Sequence, residues 1–245
     1  MVQVLLTGSA GGVGRAAQSV LEAEGWTVRP FDLTEGFDLR DAGSVLDAMR
    51  GCDAAVHAGA IAHDTAGTPA DIVATNVLGT WHVLLAAEAV GVARVIYFSS
   101  AQVFGFAEGE GTPVYLPVDD AHPVRAARPY GMSKRLAEEM CLAWTARTGI
   151  PTVVLRPVMI LGDDSLTRLS ETDAEMGAFV HVDDVARATA LALQAEVPAH
   201  VRLTLCGPGP FDTSAAASIL GWRPQRTWPT QCGRADPDCT DIAEP

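Results

Sequence analysis

Residues 2–14 read VQVLLTGSAGGVG and combine a short apolar run with four glycines, of which Gly8, Gly11 and Gly14 are evenly spaced. An apolar, alanine-rich run follows to residue 24. This order predicts a strand, a tight turn and a helix. In such a unit Gly8 allows the turn, Gly11 leaves room for a pyrophosphate against the backbone, and Gly14 lets the helix pack close to the sheet. Free N–H groups at the start of the helix then favour phosphate binding.

An acidic residue at the end of the next predicted strand, residues 27–31, supports a dinucleotide site. Asp32 lies 18 residues after Gly14, close to the spacing of the carboxylate that binds a ribose diol. Its charge repels a 2′-phosphate, so NAD is expected rather than NADP, although Arg15 and Arg29 are close enough in sequence to leave NADP open. The alternative is a glycine-rich turn without a ligand, next to a surface aspartate.

Composition limits the class of partner. The net charge is −13, and 48% of the residues are hydrophobic, so the chain can bury a sizeable core and repels nucleic acid and anionic membranes. Five scattered cysteines lack C-x-x-C spacing, which predicts free thiols and no metal site. We find no leader-like start and no run of 18 apolar residues, so a cytoplasmic protein without membrane contact is expected.

Strand-like and helix-like segments alternate along the chain. Strands are predicted at residues 54–57, 94–98, 152–155 and 201–206, and helices at residues 44–50 (with Ser44 as N-cap), 71–90 and 129–147. Alternation of this kind predicts an α/β fold, a doubly wound parallel sheet (Rossmann) with ligands at the carboxyl ends of its strands.

Three regions are expected. Residues 1–160 form the dinucleotide-binding core. Residues 161–229 form an abbreviated substrate-binding portion, a small C-terminal lid from which a strand and a helix return to the core. Residues 230–245 are polar and are expected to be a flexible tail.

The segment YGMSK, residues 130–134, carries the catalytic signal. Tyr130 and Lys134 are four apart on a predicted helix and therefore share a face. An unperturbed phenol titrates near pH ~10, and a nearby ammonium lowers its pKa toward the range where it acts as a base. Ser100, at a strand end, can donate to the same substrate oxygen while hydride exchanges with a nicotinamide. The alternative is a surface tyrosine beside a solvated lysine.

Taken together, these motifs resemble the extended short-chain dehydrogenases/reductases of the NAD-dependent epimerase/dehydratase group. The matching stretches are TGSAGGVG (7–14), DLRD (38–41), VHAGA (56–60), NVLGT (76–80), VIYFSSAQVFG (95–105), YGMSK (130–134), LRPVMILG (155–162) and FVHVDDVA (179–186). The resemblance implies catalytic roles for Ser100, Tyr130 and Lys134, and a structural role for Ser99. It implies cofactor contacts at Gly8, Gly11, Gly12, Val13, Gly14, Asp32, Asp38, Leu39, Ala58, Gly59, Ala60, Asn76, Tyr130 and Lys134. Asn76 has a structural alternative, a backbone bond between the sheet and its helices.

Differences between this chain and the motifs of the group reduce the number of activities to expect. Sugar dehydratases of the group resemble T-D-E at the position of Ser100. In this chain Ala101 and Gln102 follow Ser100. Without an acid pair to expel water, 4,6-dehydration is not expected. Residues 160–178 are short and acidic, with Arg168 as their single basic residue, and so disfavour a nucleotide diphosphate. This short form is similar to the uronate dehydrogenase branch, which oxidises C1 of a free sugar acid with NAD. The acidic insert at residues 106–123 departs from that branch.

Substrate contacts are expected from Ser100, Gln102, Arg156 and Arg168, the two arginines facing a carboxylate. Arg156 has an equal alternative as a structural partner of a lid carboxylate. His181 and Asp183 are expected to fix the lid to the core, and His57 to be a neutral structural histidine.

Three functions stay open. The first is an NAD-dependent oxidoreductase that moves hydride between a nicotinamide and a hydroxyl or carbonyl of a sugar or sugar acid, with Tyr130 as acid and base. The second is a nucleotide-sugar epimerase or ketoreductase, and the third is a dinucleotide-binding sensor without turnover. The resemblance also implies a homodimer, formed by pairing the helices at residues 71–90 and 129–147.

Overall fold

The computed structural model describes residues 2–106, 111–163 and 178–226, and its centre is a six-stranded parallel sheet in the order β2-β1-β3-β4-β5-β8. Its strands are β1 (Gln3–Thr7), β2 (Thr27–Phe31), β3 (Ala54–His57), β4 (Val95–Phe98), β5 (Thr152–Pro157) and β8 (His200–Leu205). The strand order reverses direction at β1, so β2 and β3 flank it. The predicted doubly wound parallel sheet is confirmed, and the crevice at this reversal is where such sheets bind ligands.

Helices cover both faces of the sheet. The longer helices are α1 (Gly12–Ala23), α2 (Ala42–Met49), α4 (Gly79–Val90), α5 (Pro129–Thr148) and α6 (Val182–Gln194). One hydrophobic cluster lies between the sheet and α1 with α6, and a second lies between the sheet and α2, α4 and α5. The inner strands β1, β3, β4 and β5 are buried on both faces, as in other parallel sheets covered by helices.

The N-terminus of α2 differs from the prediction. Ser44 was expected as N-cap, but Asp41 holds that position and accepts from the N–H groups of Gly43 and Ser44 at 3.0 and 3.2 Å. Aspartate and serine are equally good N-caps. Asp41 is the N-cap because α2 begins at residue 42, two residues before the start that the apolar pattern predicts.

The predicted helix at residues 71–90 begins earlier and is not uniform. It comprises α3 (Pro69–Val73), a π-helical turn (Ala74–Leu78) and α4. Thr68 and Asp71 form a capping box at its start, which explains the earlier beginning. The π turn carries Asn76, and such turns recur at functional sites.

This helix also meets the length and hydropathy expected of a membrane span, the one described helix to do so. Helices of a protein core pass the same test, and residues of α4 pack against the sheet.

The C-terminal portion adds a second, two-stranded parallel sheet of β6 (Met159–Leu161) and β7 (Phe179–His181). Helix α6 then leads to β8, which pairs with β5 along its whole length, and to α7 (Ser214–Leu220). Trp222 is fully buried and donates through Nε1 to the carbonyl of Asp184 at 2.8 Å. A strand and a helix of this portion thus pack on the core. Arg168 and the predicted tail at residues 230–245 lie outside the described residues.

The acidic insert joins this C-terminal portion. Val118 accepts from the N–H of Asp212 and donates to the carbonyl of Pro210, both at 2.8 Å. Its side chain packs in a small third cluster with Val103 and Phe104. The insert therefore lies beside the turn that follows Ser100.

Candidate active site

The glycine-rich turn is built for close approach. A Cβ atom on Gly14 would lie 2.1 Å from the carbonyl oxygen of Gly8, so only glycine fits there. Helix α1 begins after Gly11 with no side-chain cap and no acidic residue in its first turn. The buried Ser9 hydroxyl has no hydrogen-bond partner in the part of the chain that the structure describes. Uncapped N–H groups and a free hydroxyl beside a glycine turn fit a pyrophosphate.

Asp32 lies directly against this turn. Its Oδ2 accepts from the N–H of Ala10 at 3.2 Å, and its Oδ1 accepts from the N–H and hydroxyl of Thr34 at 2.9 Å each. Partial burial acts to raise the pKa of Asp32, but these hydrogen bonds outweigh it and hold the pKa below its ordinary value. The carboxylate is therefore charged at neutral pH, as a ribose diol requires.

The two arginines that kept NADP open differ in position. Arg29 donates to the carbonyls of Ala48 and Arg50 at 2.7 and 2.6 Å, at the end of α2. Arg15 donates to the carbonyl of Ala10. Arg15 therefore stays near the turn, while Arg29 is bound elsewhere.

The residues expected near the adenine and along the cofactor path come together. A Cβ on Gly59 would lie 2.9 Å from a methyl carbon of Leu39, and a Cβ on Gly8 would lie 2.6 Å from the backbone nitrogen of Gly59. Asp38 forms a bidentate ion pair with Arg40, which lowers the pKa of Asp38. Gly12 and Val13 open α1, and Ala58 and Ala60 flank Gly59.

A directed chain of hydrogen bonds links this region to Asn76. Thr80 donates its one hydroxyl proton to the carbonyl of Asn76 at 2.5 Å, so it must accept from Nε2 of His57 at 3.0 Å. Nδ1 of His57 then accepts from the hydroxyl of Thr7 at 2.7 Å, and that oxygen accepts from the N–H of Gly59 at 3.1 Å. Burial lowers the pKa of His57 to about 3, so this histidine is neutral and structural, as predicted.

The Asn76 amide bridges two further elements. Its Oδ1 accepts from the N–H of Ile61, and its Nδ2 donates to the Ile61 carbonyl and to the Ser133 hydroxyl at 3.0 and 2.9 Å. Ser133 donates in turn to the carbonyl of Tyr130 at 2.7 Å. The amide group is thus fully used within the protein, in keeping with the structural alternative for Asn76.

Ser100, Tyr130 and Lys134 converge at the carboxyl end of β4. Ser100 is half-buried, and its hydroxyl lies next to the phenol of Tyr130, where it acts to lower the pKa of that phenol. Nζ of Lys134 donates to the carbonyl of Phe98 at 2.7 Å and lies 5.8 Å from the Tyr130 ring centroid. Gln102 follows in a 3₁₀ turn (Ala101–Phe104) that Ser100 caps. The structure therefore brings the predicted catalytic group together.

Close packing of α5 on the 3₁₀ turn makes this convergence possible. A Cβ on Gly131 would lie 2.9 Å from the carbonyl oxygen of Gln102. Any larger residue after Tyr130 would push the start of α5 away from the turn that Ser100 caps.

The pKa of the phenol differs from the sequence-based expectation. Burial raises the pKa of Tyr130 to about 12, and the neighbouring Ser100 hydroxyl offsets only part of this. Burial also lowers the pKa of Lys134 to about 8, against the opposing effect of Glu138. The expectation that Lys134 by itself brings the phenol toward neutrality is therefore wrong, because the ammonium is turned to a carbonyl and burial dominates.

The Arg156 guanidinium is held in a buried ion pair, which favours the structural one of the two roles predicted for it. Its Nε and Nη2 donate to Glu138 at 2.9 and 2.6 Å, and both side chains are 1% exposed. Its Nη1 donates to the carbonyl of Asp120 in the insert. The structural alternative is supported, but the partner carboxylate lies on α5 rather than on the lid.

The Glu138 carboxylate is the hub of a buried network that the sequence prediction missed. Besides Arg156 it accepts from the hydroxyl of Ser99 at 2.6 Å, and Arg202 lies 3.4 Å away. Ser99 is thereby fixed structurally next to Ser100. A glutamate four residues after Lys134 was a usable signal, because it shares the helix face of the catalytic pair.

His181 and Asp183 lie at the start of α6. His181 is buried and its Nδ1 accepts from the N–H of Asp183 at 3.1 Å, while its Nε2 lies 3.3 Å from Asp163. Within the described ranges no group of three or more His, Cys, Asp or Glu side chains could hold a metal ion.

The glycine turn, Asp32 and the buried Ser-Tyr-Lys group at the end of a parallel sheet define a dinucleotide-binding α/β protein. Residues 4–176 match the model of the NAD-dependent epimerase/dehydratase family, and the chain belongs to that family.

Individual relatives span several activities. The chain is 32% identical over 166 residues to a uronate dehydrogenase of Pseudomonas syringae pv. tomato, a match covering 63% of this chain and 58% of that protein. It is 31% identical over 186 residues to a Stigmatella aurantiaca ketoreductase of a farnesylated dihydroquinoline oxide, covering 69% and 54%. The chain thus matches less than two thirds of the length of these curated relatives.

Among solved structures, a short-chain dehydrogenase/reductase superfamily protein from Agrobacterium tumefaciens with bound NAD has a TM-score of 0.76 at 25% identity. The match covers 92% of this chain and 93% of that one. The protein RMD from Pseudomonas aeruginosa complexed with NADPH has a TM-score of 0.74 at 21% identity, which shows the fold alone; the match covers 92% of this chain and 95% of that one.

Proposed function

We propose that this protein is an NAD-dependent oxidoreductase that moves hydride between a nicotinamide and a hydroxyl or carbonyl of a sugar or sugar acid. The observation that carries the proposal is the convergence of Ser100, Tyr130 and Lys134 beside a turn shaped for pyrophosphate. A sensor without turnover would have no use for a buried phenol paired with a serine hydroxyl at that place.

The chain's own residues supply acid–base chemistry. Bound NAD would supply the hydride acceptor, whose positive charge also favours a nearby phenolate. Tyr130 would take the proton of the substrate hydroxyl, and Ser100 would orient that hydroxyl by hydrogen bonding. Lys134, anchored on the Phe98 carbonyl, would hold the nicotinamide ribose and keep a positive charge near the phenol.

The substrate proposal favours a free sugar or sugar acid, in line with the uronate dehydrogenase relatives. Because Arg156 is committed to Glu138, a substrate carboxylate would need another donor, and Arg168 and Gln102 are the ones we propose. A ketoreductase acting on a less polar ketone is the second candidate. It is favoured by the similarity to the Stigmatella aurantiaca ketoreductase.

Preference for NAD over NADP is part of the proposal and rests on Asp32. We expect Asp32→Asn, which keeps an oxygen for Thr34 but removes the charge, to lower the ratio of the NADP Kd to the NAD Kd about tenfold. Calorimetric titration with both cofactors measures this ratio. Asp47→Asn, at an exposed aspartate on α2, is the control, and an unchanged ratio in the Asp32 variant would contradict the assignment.

A homodimer is also proposed. Exposed apolar side chains lie along the two helices expected to pair. They are Val73, Leu78 and Leu85 on the helix of residues 69–90, and Leu136 and Leu142 on α5. We expect light scattering to give about twice the 25.7 kDa chain mass, and Leu85→Glu to give the monomer. A monomeric wild-type protein would remove this part of the proposal.

The remaining assignments concern organisation and location. We propose that residues 1–160 hold the cofactor and that residues 161–229 form the abbreviated substrate lid, from which β8 and α7 return to the core. A cytoplasmic location is proposed as well, and it is supported by three buried cysteines that are free thiols.

The proposed activity is tested by calorimetry with NAD and NADP, followed by an absorbance screen for NADH with free uronic acids, aldoses and nucleotide sugars. Tight NAD binding with NADH formed from a free sugar supports the proposal. NADH formed only from nucleotide sugars would move the protein to the second function considered from sequence.

A further inference from the structure

The start of α5 lacks a cap of its own. Arg128 holds the N-cap position but its side chain does not cap the helix, and the first turn contains no acidic residue. Yet this first turn carries Tyr130, and unsatisfied N–H groups at a helix start favour fraying. The catalytic tyrosine would therefore sit on the least secured part of a 20-residue helix.

A carboxylate from another segment satisfies this helix start. Oδ1 of Asp64 accepts from the N–H of Tyr130 at 2.7 Å, and Oδ2 accepts from Nε of Arg128 at 3.1 Å. The Asp64 side chain is only 16% exposed. Sixty-six residues separate Asp64 from Tyr130, so this cap depends entirely on the fold.

The segment that provides Asp64 leads directly from the cofactor path. It follows β3 and the residues Ala58, Gly59 and Ala60, and the backbone of Ile61 is held by Asn76. Asp64 is thus fixed between the region expected to hold NAD and the turn that carries Tyr130.

We infer that Asp64 is a positioning residue, which caps α5 from the β3–α3 loop and holds Tyr130 in register with Ser100. The catalytic part of this inference rests on the proposed oxidoreductase function, whereas the capping part does not. Asp64 touches the backbone of Tyr130 and not the reacting atoms, so it acts through that residue.

The charge of Asp64 gives the role a second signature. Among the described residues, five polar groups lie near the Tyr130 side chain or its first turn: the Ser100 hydroxyl, Lys134 on the same helix, the buried Tyr97 on β4, Asp64, and its partner Arg128. The negative charge of Asp64 adds to burial in raising the pKa of the phenol. Removing the charge while keeping the oxygen should therefore lower that pKa.

Two variants separate capping from charge. Asp64→Asn keeps an acceptor for the Tyr130 N–H, and Asp64→Ala removes both oxygen and charge. Asp41→Ala is the matched control, because Asp41 caps α2 in the same way without touching α5.

The first measurement needs no substrate. Amide hydrogen exchange at Tyr130 is expected to speed up about tenfold or more in Asp64→Ala, and to stay within about threefold of wild type in Asp64→Asn and Asp41→Ala. Wild-type protection in Asp64→Ala, or its loss in Asp64→Asn as well, would overturn the capping role whatever the enzyme's activity.

The second measurement uses NADH formation from NAD and a free hexuronate across pH. In Asp64→Ala we expect kcat to fall about tenfold with a smaller change in KM. In Asp64→Asn we expect kcat to recover at high pH and the acidic limb of its profile to move about half a unit lower. An acidic limb that stays in place, or kcat in Asp64→Ala equal to wild type, would overturn the catalytic part. If exchange at Tyr130 follows the expected pattern but the wild-type protein forms no NADH, the result would count against the proposed function and not against the capping role.

Discussion

Replacing Tyr130 with phenylalanine is expected to reduce kcat by about 10²–10⁴-fold, the range of a lost general acid–base group. The Tyr130 phenol is buried at the end of β4 beside the Ser100 hydroxyl. Phenylalanine keeps the ring and the packing, so the Kd for NAD should change by less than about threefold. Steady-state kinetics and calorimetry measure the two quantities separately.

Tyr115→Phe is the matched control for this variant. Tyr115 lies in the insert, is exposed, and donates its hydroxyl to Asp119 at 2.8 Å. It should keep wild-type kcat, because its hydroxyl lies outside the Ser100 group. Normal turnover in Tyr130→Phe would show that the catalytic assignment is wrong, and loss of NAD binding would show a structural role instead.

Glu138→Ala is expected to lower the free energy of unfolding by about 3–5 kcal/mol. Glu138 and Arg156 are both 1% exposed, and the guanidinium would be left charged in the core without its bidentate partner. Ser99 would lose its acceptor at the same time. Urea unfolding measures the change, and the large size of the effect follows from burial rather than from the charge pair itself.

The neighbouring Glu139 provides an internal control. It lies on the same helix as Glu138, is 59% exposed, and pairs with Arg202 of β8 at 2.9 Å. Glu139→Ala should change the free energy of unfolding by at most about 1 kcal/mol. In addition, replacing Glu138 and Arg156 together by leucine and methionine should recover most of the stability. Equal losses in the two alanine variants would show that the buried network has no special role.

The fold was predictable because its determinants are local. The glycine turn, the carboxylate at position 32 and the alternation of apolar segments all lie within short windows, and each window predicts one strand or helix. The catalytic group was predictable for the same reason, since Tyr130 and Lys134 are one helical turn apart.

The networks around the site depend on contacts between distant segments. Glu138 and Arg156 are 18 residues apart, and Asp64 and Tyr130 are 66 apart. Arg156 was assigned two equal roles from sequence because a buried partner on another element cannot be deduced from its neighbours along the chain. Its position at a strand end was predicted, but the direction of its guanidinium was not.

The phenol pKa was mispredicted for a related physical reason. Sequence spacing shows that Lys134 is close to Tyr130, but it does not show that both side chains are buried. Burial raises the pKa of the phenol and lowers that of the ammonium, and both shifts oppose the simple charge argument.

Formation of NADH by the wild-type protein, compared with Tyr130→Phe, tests the central claim most directly. Both proteins would be incubated with NAD and a panel of free uronic acids and aldoses, and absorbance followed over time. We predict NADH from at least one free sugar with wild type and a loss of about 10²-fold or more in the variant. Equal rates in the two proteins, or tight NAD binding with no NADH from any sugar or nucleotide sugar, would contradict it.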